Sequence, residues 1–230
     1  MNRTEFVAAL AAATAAPRAR PPAGVTAEIA VEQDSNELLA PFKVSISLRN
    51  ASTHIVPLDF PTTDLYRIDV RHDDDTLWST ATLHKPILIA RRFDVPPGLT
   101  RLASQLIDGT TDDKHAYAPG RYTVRVAMLG SRLDTTLERT VDFAMPMPIV
   151  RALKTTTGKV ITICGVPFIE SGIAKLKDDS GVVRLSRALG SHPSGKYVVR
   201  GYLDALGDDR QFAVGRFAPA FDNVPEAKPT

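Results

Sequence analysis

From Val25 onward, apolar residues recur at every second position, in runs that each keep one parity. Ala27, Ile29 and Val31 form one run, and Phe42, Val44, Ile46 and Leu48 form the next. Tyr66, Ile68 and Val70 make a third, and Tyr122, Val124, Val126 and Met128 a fourth. Side chains along an extended chain alternate between the two faces of a sheet, so each run predicts a half-buried strand. Turn signals separate the runs: Asn50-Ala51-Ser52, Asp73-Asp74-Asp75, Pro96-Pro97-Gly98 and Pro119-Gly120. Proline fixes φ and glycine supplies positive φ, so the chain reverses at these places. Short strands with a turn about every ten residues predict an antiparallel sandwich over residues 25–145.

Met145-Pro146-Met147-Pro148 interrupts the pattern and marks a linker. The rhythm over residues 149–221 is different. Val160 to Val166 reads as a long first strand with Gly165 where it can bend. Ala174 to Lys177 runs into a hairpin turn at Asp178-Asp179-Ser180-Gly181 and out through Val182 to Leu185. Lys196 to Leu203 supplies a fourth strand and Gln211 to Phe217 a fifth. This order resembles the OB-fold, a five-stranded, partly open barrel.

Within the first module, residues 40–128 resemble the family of the Bacillus intracellular proteinase inhibitor, the BsuPI domain. The matching pieces are Asn50-Ala51-Ser52, Val56-Pro57-Leu58-Asp59-Phe60-Pro61-Thr62-Thr63, Tyr66, Leu77-Trp78-Ser79, the Pro97-Gly98 turn and Pro119-Gly120-Arg121-Tyr122-Thr123-Val124. Two places depart from that family. Asp73-Asp74-Asp75-Thr76 stands where its Asp-Gly turn is usual, and Ser104 to Asp108 replaces its second tryptophan segment. The resemblance implies an immunoglobulin-like sandwich with Trp78 and Phe60 in the core, and it implies proteinase inhibition as one function. The fold class expected is all-β: an immunoglobulin-like antiparallel sandwich followed by a small OB-like five-stranded barrel.

Composition is that of an ordinary globular protein, and it changes the picture in two ways. A single cysteine, Cys164, excludes an intramolecular disulfide and a cysteine-built zinc site. Charge is unevenly spread. Residues 25–147 hold 13 Lys+Arg against 17 Asp+Glu, a net of −4, and residues 148–230 hold 12 against 8, a net of +4. At the start, residues 1–24 read as an export leader, with an alanine-rich apolar run from Phe6 to Ala16 and a small-x-small site at Ala13-Thr14-Ala15. It looks like a twin-arginine signal whose second arginine is missing, because Thr4 follows Arg3. The expected location is periplasmic or extracellular, the alternative being cytoplasmic. No run reaches the roughly 18 apolar residues of a membrane span, and residues 222–230 read as a disordered tail.

No motif for nucleophilic, metal or dinucleotide chemistry is present, so a non-enzymatic protein with no cofactor is expected. Gly190 to Lys196 has P-loop glycine spacing, but Tyr197 follows the lysine where a Ser or Thr hydroxyl is required. Asp73-Asp74-Asp75 reads as a solvated hairpin tip rather than a cation site. Two surfaces remain. The segment His84 to Arg92 could enter a protease cleft, with Lys85, Arg91 and Arg92 suited to a trypsin-like pocket. On the barrel, inward Leu176, Val183, Leu185, Tyr197 and Val199 would throw Lys175, Lys177, Arg184, Arg200 and Tyr202 outward. That basic face could carry an oligonucleotide or an acidic glycan. Protein recognition through the sandwich is the leading expectation, and ligand binding by the barrel the alternative.

Overall fold

The structure is a computed structural model of the 230-residue chain and describes residues 24–83, 85–189, 195–206 and 209–220. Residues 1–23, which hold most of the expected leader, His84, residues 190–194 of the P-loop-like spacing, residues 207–208 and the tail from 221 lie outside the described residues. The chain is all-β. Strands β1 (Val25–Gln33), β2 (Phe42–Asn50), β3 (Val56–Phe60), β4 (Tyr66–His72), β5 (Asp75–Ser79), β6 (Arg91–Val95), β7 (Gly98–Ile107), β8 (Gly120–Met128) and β9 (Thr136–Phe143) build the first module. A one-turn helix α1 (Ile149–Ala152) leads into β10 (Val160–Glu170), β11 (Ile173–Lys177), β12 (Val182–Leu185), β13 (Tyr197–Leu206) and β14 (Asp209–Pro219).

Two antiparallel sheets, β1-β2-β7 and β5-β4-β8-β9, make the sandwich, with β3 and β6 paired beside them. The alternation read from the sequence sets the core. Phe42, Val44, Ile46 and Leu48 of β2 and Tyr122, Val124, Val126 and Met128 of β8 are each at most 1% exposed. Trp78 and Phe60 are buried in the same cluster. The Tyr122 hydroxyl donates to the Ala118 carbonyl at 2.7 Å, the tyrosine-corner bond of immunoglobulin-like sandwiches. Asn50 shows why a polar residue can end β2 inside the core. Its Nδ2 donates to the carbonyls of His54 and Val95 at 2.8 and 2.9 Å, and its Oδ1 accepts from Ser52 N and Oγ. Each side-chain polar atom is satisfied, so burial costs little.

The second module is a closed barrel in the order β10-β11-β12-β14-β13, with β12 and β14 parallel and the other pairs antiparallel. Its interior is a second apolar cluster of Ile161, Ile163, Leu176, Val183, Leu185, Tyr197, Val199, Leu203 and Phe212. Closure needs two glycines. At Gly165 an added methyl would stand 2.9 Å from the carbonyl carbon of Lys177 and 3.1 Å from Leu176 Cγ. At Gly201, beside the β13–β14 bulge, it would stand 2.8 Å from Phe212 Cε1 and 3.1 Å from the carbonyl carbon of Ala213.

The two interiors are distinct clusters, but the outer side of the barrel contributes to the first. Alternation sends Tyr197 and Val199 into the barrel but turns Val198 outward, and Val198 and Ala218 are buried in the sandwich cluster, with Cys164 and Ala220 packed against it. Polar contacts run along the same seam: Thr162 Oγ1 to Leu38 O at 3.1 Å, Ala116 N to Pro219 O at 2.9 Å, and Arg200 Nε with Glu37 Oε2 at 3.5 Å. The linker is also held. Met147 N donates to Thr162 O at 2.7 Å, and Ala144 N donates to Asn36 O at 2.7 Å.

Candidate functional site

The surface with the strongest signal lies between β5 and β6. Its base is rigid. Ser79 caps a 3-10 turn (Thr80–Thr82) by accepting from Ala81 N at 3.1 Å, and its hydroxyl donates to buried Asp69 Oδ1 at 2.6 Å. Asp69 also accepts from Arg67 Nε at 3.1 Å. Farther along, Thr63 grips the segment from two sides: its N–H donates to Ile87 O at 3.0 Å, and its Oγ1 accepts from Ile87 N at 3.2 Å. Around these anchors Leu83, Ile87, Leu88 and Ile89 are exposed by 56%, 58%, 87% and 58%. Four large aliphatic side chains held in water within seven residues form a patch of the kind that marks an interaction surface.

The cations expected to act here are placed differently from the sequence reading. Lys85 is exposed in the loop, but Arg91 and Arg92 belong to β6, whose backbone is laddered to Phe60 and Asp59 of β3. Arg92 Nε also reaches Asp94 Oδ1 at 3.2 Å. These arginines rim the apolar stretch and do not project from its tip. The most exposed of the four aliphatic side chains is Leu88. A run of Ile87-Leu88-Ile89 without alternation, between Pro86 and Ala90, was the signal in the sequence for it.

On the barrel, register brings together part of the expected basic face. Phe168, Lys175, Arg184 and Gln211 stand opposite one another across β10, β11, β12 and β14. Val166, Lys177 and Val182 form the neighbouring row. Lys175 is ion-paired with Glu170, which lowers the Glu170 carboxyl through that hydrogen bond and charge. Arg200 and Tyr202 are not part of this surface. They lie on β13, which pairs with β10 and β14 and with neither β11 nor β12. Arg200 faces the sandwich and Glu37, whose carboxyl is raised because burial outweighs the attraction of Arg200 and Lys159. Tyr202 is exposed beside Val160 and Ala213. The reason is the closed ring: outward-facing residues on β13 point away from those on β11 and β12.

One other cluster, the acidic triplet of the sandwich, has no convergent geometry. Asp73-Asp74-Asp75 forms the β4–β5 hairpin tip, where Asp73 adopts φ of 51° and Arg71 Nη2 donates to the Asp74 carbonyl at 2.8 Å. Among the described residues, no three His, Cys, Asp or Glu side chains come together as metal ligands would, and no helix is long and apolar enough to cross a membrane. No protein-family model and no curated protein matches this chain in sequence.

Proposed function

We propose that this is a non-enzymatic binding protein that recognises another protein through the Leu83–Arg92 segment of the sandwich. The observation that carries the reading is the group of solvent-held aliphatic side chains, Leu83, Ile87, Leu88 and Ile89, on a clamped stretch without regular secondary structure. Keeping such a patch in water has no folding benefit, since apolar area is stabilised by burial at roughly 25 cal/mol per Å². Lys85 and Arg91 flank it, Arg92 beside them is paired with Asp94, and no acidic residue lies between positions 83 and 92. The fitting partner therefore has an apolar pocket with an acidic margin. Proteinase inhibition is the specific form of this proposal. In that form Leu88 enters the enzyme's primary pocket, which favours subtilisin-like or chymotrypsin-like specificity over trypsin-like.

The test is a protease panel. Inhibition of a subtilisin-like enzyme at micromolar protein, abolished by Leu88→Asp and redirected to trypsin by Leu88→Arg, is the expected result. Unchanged progress curves across the panel would remove the inhibitor form. Protein recognition itself is then read by a photo-crosslinking residue placed at position 88. A discrete adduct that Ile87→Asp eliminates supports it, and the absence of any adduct in the native extract rejects it.

A second reading, oligonucleotide or acidic-glycan binding by the barrel, is favoured by the register that aligns Lys175, Lys177 and Arg184 beside Phe168. Affinity should then fall steeply with salt, and Lys175→Ala, Lys177→Ala and Arg184→Ala together should abolish it. Salt-independent binding, or none, would dismiss this reading.

A further inference from the structure

A second candidate site lies where the linker meets the barrel. The linker around Met147 forms one wall, β10 from Cys164 to Val166 the floor, and Lys177 with the turn that follows it the opposite wall, enclosing about 270 Å³. That is just below the roughly 300–1,000 Å³ of pockets for drug-sized ligands. The space suits a small molecule rather than a polymer.

The walls are fixed before any ligand arrives. Met147 bridges to Ile163 and donates its N–H to Thr162 O at 2.7 Å, and the flanking prolines restrict the backbone on both sides. Asp178 ties the opposite wall to the end of the linker. Its Oδ2 accepts from Ile149 N at 2.8 Å, and its Oδ1 accepts from Ser180 N, Ser180 Oγ and Gly181 N at 2.8, 2.7 and 2.8 Å. Preformed walls leave little ordering cost at binding.

The chemistry of the lining selects the ligand. Met147, the two prolines, Cys164 and Val166 offer apolar surface, and burial pushes the Cys164 thiol up to about 11, so it stays neutral and acts as one more apolar wall. Asp178 has its oxygens turned to four protein donors, and the other charged side chains of the lining are Lys177, Lys196 and Asp179, two cations to one carboxylate. We propose that this cleft binds a small amphipathic anion, its compact apolar body against Met147, Cys164 and Val166 and its carboxylate, sulfonate or phosphate group against Lys177. The site is separate from the loop proposed above, and neither reading depends on the other.

Anilinonaphthalene sulfonate, an aromatic body with one anionic group, is a direct probe for the full-length protein. Saturable one-to-one binding with enhanced fluorescence is expected. Lys177→Ala should weaken it about tenfold, the loss of one charge-assisted hydrogen bond. Phenylnaphthylamine, which lacks the sulfonate, should bind the parent about tenfold more weakly for the same reason. Val166→Trp, which fills the cleft, should remove binding, while Leu88→Asp should leave it unchanged. Because a filled cleft could also disturb folding, the unmodified protein supplies an independent readout: bound dye should slow the reaction of Cys164 with a thiol reagent. Loss of dye binding in Leu88→Asp, equal affinity in Lys177→Ala, or no protection of Cys164 at saturating dye would each overturn the assignment.

Discussion

Substituting Gly201 by alanine tests whether close approach of β13 and β14 closes the barrel. The new methyl would stand 2.8 Å from Phe212 Cε1 and 3.1 Å from the Ala213 carbonyl carbon, with the Ala213 oxygen nearer still. Carbon atoms pack comfortably at about 3.5–4.0 Å, so the seam must open by on the order of 1 Å. Overpacking typically costs roughly 1–3 kcal/mol. The upper end applies here because the obstacle is a backbone carbonyl in the sheet and not a movable side chain. A cost of about 3 kcal/mol lowers the melting temperature by roughly 6–12 °C in a chain of this size. Gly172→Ala is the control: its φ of +73° strains alanine, but nothing lies within 4 Å of the added methyl. That strain is worth about 1 kcal/mol. Far-UV circular dichroism follows the whole fold, while fluorescence of Trp78, the sole tryptophan, follows the sandwich. Because Val198 and Ala218 of the barrel are buried in the sandwich cluster, both signals should fall together at the lower temperature. A Gly201→Ala protein melting within about 2 °C of the parent, or less perturbed than Gly172→Ala, refutes the closure argument. A Trp78 transition that does not move refutes the coupling.

Asn50→Asp replaces two donors aimed at the His54 and Val95 carbonyls with a carboxylate oxygen, and urea denaturation should show a loss of about 3 kcal/mol. A loss below about 1 kcal/mol would mean that the site admits water. Tyr122→Phe removes one hydrogen bond to Ala118 O and should cost about 1 kcal/mol by the same measurement. Burial pushes the Tyr122 hydroxyl up from 10.0 to about 12, so the folded state disfavours the phenolate. Its contribution to stability is intact below about pH 10 and is lost as pH rises through about 12, so an absorbance titration should show ionisation and unfolding together. For Cys164 the shift is from 9.0 to about 11, which cuts the thiolate fraction near pH 8 about 100-fold (10 raised to 11 − 9). A thiol-exchange reagent should therefore react about 100-fold faster in denaturant than with native protein, and equal rates would contradict the burial.

The strands that the sequence reveals are those with one wet and one dry face. β2 and β8 alternate cleanly because every second residue enters the sandwich core. β6 and β9 are harder to read: β6 opens with two exposed arginines, and β9 buries only Val141 and Phe143. β7 buries only its last residue, Ile107, so its hydrophobic pattern is weak although it ladders along β2. The candidate surfaces divide on the same physical ground. Lys175, Lys177 and Arg184 are joined by one short hairpin, so local alternation is enough to place them together. Arg200 and Tyr202 depend on where β13 falls in the closed ring and on what covers it, which are relations between distant parts of the chain. The loop's charged residues draw attention in the sequence, but the path of the loop is fixed by Thr63, over twenty positions away, which holds the Ile87 backbone.

Strand β13 belongs to two interiors at once, and this governs how the chain can be divided. Released at the linker, a fragment of residues 149–220 would keep its own ring of hydrogen bonds but bare an oily stripe of Val198, Ala218 and Cys164. Such a fragment would find its missing cover in other fragments. The halves are thus a poor pair for modular exchange, since a foreign barrel would have to bring both a sound interior and an outer side fitted to Leu38 and Glu37.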